Sequence, residues 1–152
     1  VVRNLAAAKP VKVRNPNAVR PWQHVLEPLA GYLMLAERLW KEGPAYAGAW
    51  NFGSRDEDAR PVRWIVERLN ELWGEQTPRW QSDTDEHPHE ARYLKLDCSK
   101  AHAELGWRPR WDLERALAAV VEWSKAYRGG ADMHQISLDQ IENYGKEMRD
   151  SE

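Results

Sequence analysis

A long apolar helix, predicted from Leu26 to Glu42, constrains the fold of this chain more than any other feature. Its apolar side chains recur at helical spacing, and further ones make it apolar on most sides: Leu26, Leu29, Ala30, Leu33, Met34, Leu35, Ala36, Leu39 and Trp40. Such a helix is usually buried against more than one layer of structure. The sequence therefore predicts a fold that surrounds this helix, which ends at Gly43-Pro44.

The predicted strands are too short and too few to surround it. Residues 11–14 and 93–96 alternate apolar and charged side chains, as half-buried strands do, and residues 49–53 form a strand-like run that stops at a glycine. An independent sheet of normal size needs more strands than these. We therefore predict an α/β fold, rich in helix, whose strands complete a sheet begun upstream of the chain.

The other predicted helices are marked by their ends. Pro61 opens one that runs to Gly74, Asp97 or Ser99 caps a short one, and Asp112 caps one that stops at Gly129. A final helix is predicted from a capping box at residues 137–140. Residues 54–60 and 75–92 are predicted as loops. We expect a single domain over 1–152, in which 1–53 complete the sheet and 54–152 form a mainly helical lobe.

Composition narrows the classes of function. With 22 basic and 24 acidic side chains and no charged block, the chain is not predicted to bind nucleic acid or anionic membranes. Cys98 is the single cysteine, which excludes an internal disulfide and is interpreted as structural. No apolar run has the length of a membrane span and no signal peptide is evident, so a soluble cytoplasmic protein is expected.

The first candidate site lies just before the long helix, where Arg20, Trp22 and His24 follow a turn. An arginine can give a bidentate fork to a phosphate, and the approach to a helix N-terminus favours anions. The competing interpretation, an exposed ion-pair arginine beside a core tryptophan, is the more common arrangement. Glu27, in the first helical turn, is interpreted as serving the helix N-terminus.

Two further candidates are polar residues in loops. His87, His89 and Glu90 stand close together, but their spacing does not match a helical zinc site, so a loop that hydrogen-bonds a ribose is favoured over a metal site. A polar loop without a role fits equally well. Asn51 ends a predicted strand, where ligands bind in open α/β sheets, although it could equally hold a turn.

The sequence lacks the motifs that would complete a reaction. There is no glycine-rich dinucleotide fingerprint, no phosphate loop, no nucleophile elbow, and no tyrosine followed four residues later by lysine. Residues alone therefore indicate an α/β fragment with possible anion-binding loops.

Several stretches, in order along nearly the whole chain, resemble CDP-glucose 4,6-dehydratases of the extended short-chain dehydrogenases. The specific one is RNPNAVRPWQHVLEPL at 14–29; it is followed by AWNFG at 49–53, PHEA at 88–91, LKLDCSKA at 94–101, LGWRP at 105–109 and VEW at 121–123. The resemblance implies a C-terminal, sugar-nucleotide-binding portion of a Rossmann-type enzyme.

The resemblance also implies a reaction and a division of labour. Such enzymes convert CDP-glucose to CDP-4-keto-6-deoxyglucose with tightly held NAD, and the cofactor and catalytic residues belong to the part of the fold that precedes these motifs. We therefore expect no catalytic residue, no cofactor-binding residue and no metal in this chain. The parent protein is expected to be an NAD-dependent lyase and this chain to be inactive alone.

Individual residues acquire roles only through this resemblance. Arg20 matches the diphosphate position, Asn51 lines the nucleotide pocket, and Glu90 contacts ribose, with His89, Trp22 and His24 beside them. His87 stands where relatives carry arginine, which counts against a phosphate role for it.

Two rival interpretations remain open. Another NAD-dependent sugar-nucleotide dehydratase or epimerase shares the later motifs, since only the 20–28 stretch points to CDP-glucose. A free-standing, tryptophan-rich carbohydrate-binding module would explain nine tryptophans and the missing motifs. Under the favoured interpretation, the long helix would lose its normal neighbours and expose apolar surface, so we expect a homo-oligomer that binds a CDP-sugar.

Overall fold

The computed structural model describes residues 1–74, 80–85 and 90–146. In these ranges the helices are longer and more numerous than the strands. The helices are α1 (Val2–Ala6), α2 (Leu26–Glu42), α3 (Val62–Trp73), α4 (Leu113–Arg128) and α5 (Met133–Lys146). The strands are β1 (Lys12–Val13), β2 (Val19–Pro21), β3 (Ala59–Pro61) and β4 (Gln81–Ser82). The prediction of a mixed, helix-rich fold with a few short strands is confirmed.

The strands form two small ribbons. β1 pairs with β4 in parallel, with Lys12 opposite Gln81. β2 pairs with β3 antiparallel, with Arg20 directly opposite Arg60, and Val19 also bridges to Tyr93 on its other side. Neither ribbon is large enough to be stable without the helices that pack around it.

The main core lies between α1, α3 and α4. Their apolar faces supply its buried side chains, which are Leu5, Ile65, Leu69, Trp73, Leu113, Leu117 and Val121. α3 has the spacing of an amphipathic helix, and Gly74 ends it in the left-handed conformation (φ +74°) that glycine adopts without strain. The predicted boundaries of this helix are confirmed.

The expectation for α2 is wrong in its packing although correct in its bounds. Among its residues only Glu27 and Gly31 are fully buried, and most of the predicted apolar stripe faces outward. The buried side is set by Phe52, whose ring lies so close to Gly31 that a Cβ there would be 2.3 Å from it. The close approach of Phe52 turns the Gly31 side inward, so several of the apolar side chains that were expected to be buried against other layers face solvent instead.

Two strand predictions are wrong, because one segment pairs with no strand and the other pairs at a single residue. Residues 49–53 form no strand: the Phe52 carbonyl accepts from the Gln23 side chain (2.8 Å), and the Gly53 amide donates to the Cys98 sulfur (3.0 Å). Residues 93–96 contribute only the bridge at Tyr93. Conversely, the predicted loop at 54–60 holds a 3₁₀ turn and most of β3.

Helix ends were predicted well where a cap is local. The Asp112 side chain accepts from the Arg115 amide (2.8 Å), and α4 begins at the next residue. The capping box at 137–140 is wrong: Asp132 accepts from the amides of 134 and 135, and α5 already begins at Met133. The Ser137 hydroxyl instead donates to the Met133 carbonyl (2.7 Å), inside the helix.

Within the described ranges, no helix combines the length and the apolar character needed to cross a membrane.

Candidate functional site

Arg20 lies in the middle of β2 and its side chain is held at both ends of the guanidinium group. Nη1 donates to the Val19 carbonyl (2.8 Å), and Nη2 donates to Glu90 Oε1 (2.5 Å). The side chain is 19% exposed, against 46% for Glu90. Arg20 therefore presents a fixed, partly shielded cation at the surface of the ribbon.

Glu90 is brought to Arg20 from 70 residues further along the chain. The Val19 amide donates to the Arg92 carbonyl (2.8 Å), which aligns the segment that carries Glu90 beside β2. The hydrogen bond from Arg20 lowers the pKa of the Glu90 carboxyl, and the charges of Arg20 and Arg14 act in the same direction. The carboxylate is thus ionised at neutral pH and available as an acceptor.

Trp22 follows β2 and fixes the neighbouring strand. Its indole N–H donates to the Arg60 carbonyl (2.9 Å), and its ring packs beside the main core. The residue is half-buried, so only part of its ring can meet a ligand.

His24 lies apart from the Arg20–Glu90 pair. Its ring is 7% exposed and packs against Trp111 at 4.9 Å between centroids, and Nδ1 accepts from the Leu26 amide (3.3 Å). Burial lowers the pKa of this imidazole, and the charge of Arg115 lowers it further. In this arrangement His24 supports the start of α2.

Asn51 is exposed and borders a polar cleft. Its side-chain amide donates to the Asp97 carbonyl (3.0 Å). Asp97 lines a cavity of about 940 Å³, formed mainly by residues 54–57 and 95–99, with His102, Arg108 and Pro109. Neither Arg20 nor Glu90 lines that cavity. Asn51 therefore lies at a different place from the Arg20–Glu90 pair, and the 90–97 segment connects the two places.

His87 and His89 lie outside the described residues. Within the described ranges, no group of three or more His, Cys, Asp or Glu side chains could hold a metal ion.

The sequence-based interpretation missed the role of Glu27. This carboxylate is 0% exposed; it accepts from the amides of Arg110 (3.0 Å) and Trp111 (2.8 Å) and from the Tyr144 hydroxyl (2.7 Å). The Trp107 indole donates to the Glu27 carbonyl (3.2 Å). Glu27 thus ties the stretch just after Arg20 to the 107–111 segment and to α5. The one available signal was an acidic residue inside an apolar helix.

Comparison with known proteins identifies the class: the relatives are 4,6-dehydratases of sugar nucleotides. Within that class, the chain is 49% identical over 144 residues, 95% of its length, to the CDP-glucose 4,6-dehydratase of Salmonella typhimurium, which confirms the resemblance seen in the sequence. It is 34% identical over 112 residues to a dTDP-glucose 4,6-dehydratase of Actinoplanes sp. and 29% over 136 residues to one of Haemophilus influenzae. No protein-family model matches the chain.

The chain spans a minor part of each of these relatives. The matched region is 40% of the Salmonella enzyme, 32% of the Actinoplanes enzyme and 38% of the Haemophilus enzyme, while covering 95%, 72% and 81% of this chain. A C-terminal portion of a dehydratase fits these shares.

Proposed function

We propose that this chain is the sugar-nucleotide-binding portion of a CDP-glucose 4,6-dehydratase. The observation that supports this most is the 49% identity along 95% of the chain, which includes the stretch that holds Arg20. In this proposal the chain is one domain, in which residues 1–53 complete the cofactor-binding sheet and 54–152 form the lobe that covers the substrate.

The chemistry of Arg20 suits a diphosphate. Its guanidinium offers parallel donors to two phosphate oxygens, and its planar group is held in place by Val19 and Glu90. Glu90, ionised and exposed on its outer side, can accept from the two hydroxyls of a ribose. In this proposal Asn51 and Trp22 flank the nucleotide, and His89 and His24 are further candidates for substrate binding.

The residues of this chain do not fit the NAD that the reaction needs. Dinucleotide binding uses a glycine-rich turn at a helix N-terminus, and the sequence holds neither that fingerprint nor a Tyr and Lys four residues apart. We propose that NAD and the catalytic side chains are held by the remainder of the parent lyase. This chain would then bind and orient the substrate without turning it over.

Two alternatives differ in what they predict. The similarity to dTDP-glucose 4,6-dehydratases supports another sugar nucleotide as substrate. A carbohydrate-binding module would need exposed aromatic rings on a sheet of its own, and the described strands are two or three residues long.

Calorimetric titration with CDP, UDP, GDP and dTDP tests the proposal. We expect CDP to bind most tightly, and Arg20→Ala to weaken it at least about tenfold, because a charge-assisted pair to phosphate is lost. Arg38→Ala is the matched control, since Arg38 also pairs with a carboxylate at 2.5 Å, but on α2. Equal affinity for all four nucleotides, or equal loss in both variants, would contradict the proposal.

A further inference from the structure

The register of β2 and β3 places a second arginine beside Arg20. Arg20 and Arg60 are directly opposite each other in this antiparallel pair. Side chains of opposite residues project from the same face, with Cβ atoms about 5 Å apart, and like charges in that position destabilise the ribbon. An anion bound by both arginines would reduce their repulsion and so stabilise the ribbon.

The charges around this pair do not balance. Glu90 is the carboxylate that Arg20 contacts, and the charge of Arg14 also lowers the pKa of this carboxyl. Arg60 pairs with no carboxylate among the described residues; its guanidinium carbon lies 5.4 Å from the centroid of the Trp64 ring. Of these two opposite arginines, Arg20 therefore has a carboxylate partner, whereas Arg60 has none among the described residues.

The guanidinium of Arg60 is oriented without being neutralised. Stacking on Trp64 limits the planes that the group can adopt, and the bond from Trp22 to the Arg60 carbonyl fixes the backbone beneath it. Stacking leaves the in-plane N–H donors free, and an oriented donor set loses less entropy when it binds.

We propose that Arg60 and Arg20 together form a two-arginine clamp for a diphosphate, one guanidinium to each phosphate. This rests on the proposed sugar-nucleotide function and adds Arg60 as a ligand-binding residue. Two guanidinium groups on one face can each pair with one of two linked phosphates, whereas a single phosphate needs only one of them.

The test uses the intact chain with inorganic pyrophosphate, orthophosphate, CDP and UDP as probes. Arginine side-chain N–H signals of the ¹⁵N-labelled protein, assigned with Arg20→Gln and Arg60→Gln, are followed up to about 20 mM probe, which captures millimolar binding. Arg63→Gln is the matched control, because it removes the same charge from an exposed position three residues away. Circular dichroism of each variant verifies the fold.

We expect pyrophosphate to shift the signals of both Arg20 and Arg60 and to bind more tightly than orthophosphate. Arg60→Gln should weaken pyrophosphate at least about tenfold and abolish the preference over orthophosphate, while Arg63→Gln changes affinity less than about twofold. No shift at Arg60 with any probe, or equal losses in Arg60→Gln and Arg63→Gln, overturns the clamp. A clamp that holds pyrophosphate while CDP and UDP bind equally supports it and counts instead against the cytidine assignment.

Discussion

The two ends of α2 invert the usual relation between polarity and burial. At the first turn, the carboxylate of Glu27 is 0% exposed, and at the last turn the indole of Trp40 is 90% exposed. Leu33, halfway along, is 73% exposed. A single helix thus buries the first of its acidic residues and exposes its largest apolar side chain.

The difference between the two ends lies in the partners that each one has. Glu27 is buried because two backbone amides and a hydroxyl satisfy its oxygens, which removes most of the penalty of taking a carboxylate out of water. In the second half of α2, Met34 and Leu35 pack beside the cluster that contains Phe52, while Leu39 and Trp40 face solvent. Exposed apolar side chains grouped on one helix are typical of contact surfaces.

Removal of the Glu27 carboxylate should have the largest effect. Glu27→Ala leaves the Arg110 and Trp111 amides and the Tyr144 hydroxyl without their acceptor, so we expect the free energy of unfolding to fall by about 3 kcal/mol or more. Urea unfolding followed by tryptophan fluorescence measures this.

Tyr144→Phe provides the graded comparison for that prediction. It removes one donor to Glu27 and should cost about 1–2 kcal/mol, while Tyr127→Phe, on an exposed ring of α4, should cost almost nothing. A Glu27→Ala variant as stable as the parent chain would show that the buried acid is not what holds this end of α2.

At the other end, a charge on the exposed stripe should prevent self-association. We expect the chain to associate with increasing concentration, and Leu33→Asp to weaken association about tenfold, or about 1.4 kcal/mol, without a matching loss of stability. Sedimentation velocity over a range of concentrations gives the association constant. Tyr127→Asp places the same charge on an exposed ring of α4 and should leave association unchanged; a monodisperse monomer at all concentrations would contradict the expectation.

A smaller, pH-dependent effect is expected at His24, which supports the buried end. Burial and Arg115 lower its pKa in the folded chain, whereas the unfolded residue titrates near about 6.5. As the pH falls below that value, the unfolded chain takes up a proton that the folded chain resists, so stability decreases by at most about 1.4 kcal/mol per pH unit.

His24→Asn separates this contribution from those of other titrating groups. The asparagine oxygen can still accept from the Leu26 amide, but it does not titrate, so the slope of stability against pH between about 6.5 and 5 should become shallower. Identical slopes in the two proteins would show that His24 charges as readily when folded as when unfolded.

Local signals in the sequence predicted local structure. The bounds of α2 follow from apolar spacing and Gly43-Pro44, α4 from the Asp112 cap, and the end of α3 from Gly74. Each depends on residues within one or two turns of the boundary. The bond between Asp132 and the start of α5 is equally local, but a stronger capping pattern a few residues later concealed it.

These local signals did not predict contacts between residues that are far apart in the sequence. Arg20 was selected as a candidate by its position before the helix. Its ion pair with Glu90, 70 residues away, and its place opposite Arg60 in the β2–β3 pair were not predicted. Glu27 accepts from the Trp111 amide, 84 residues away, and the spacing of apolar residues along the chain does not predict such a contact. The strand expected at 49–53 failed for the same reason, since a strand is defined by a neighbour that local pattern does not reveal.

The reactivity of the single thiol in this chain can be used to measure local opening of the structure. Cys98 is 7% exposed, its sulfur accepts from the Gly53 amide, and burial raises the pKa of the thiol above its usual range. An alkylating reagent therefore reaches a reactive thiolate only when the junction between 51–53 and 96–98 opens. Because Cys98 is the single cysteine, the rate of alkylation measures how often that junction opens. A nucleotide that bridges Asn51 to its surroundings would lower this rate.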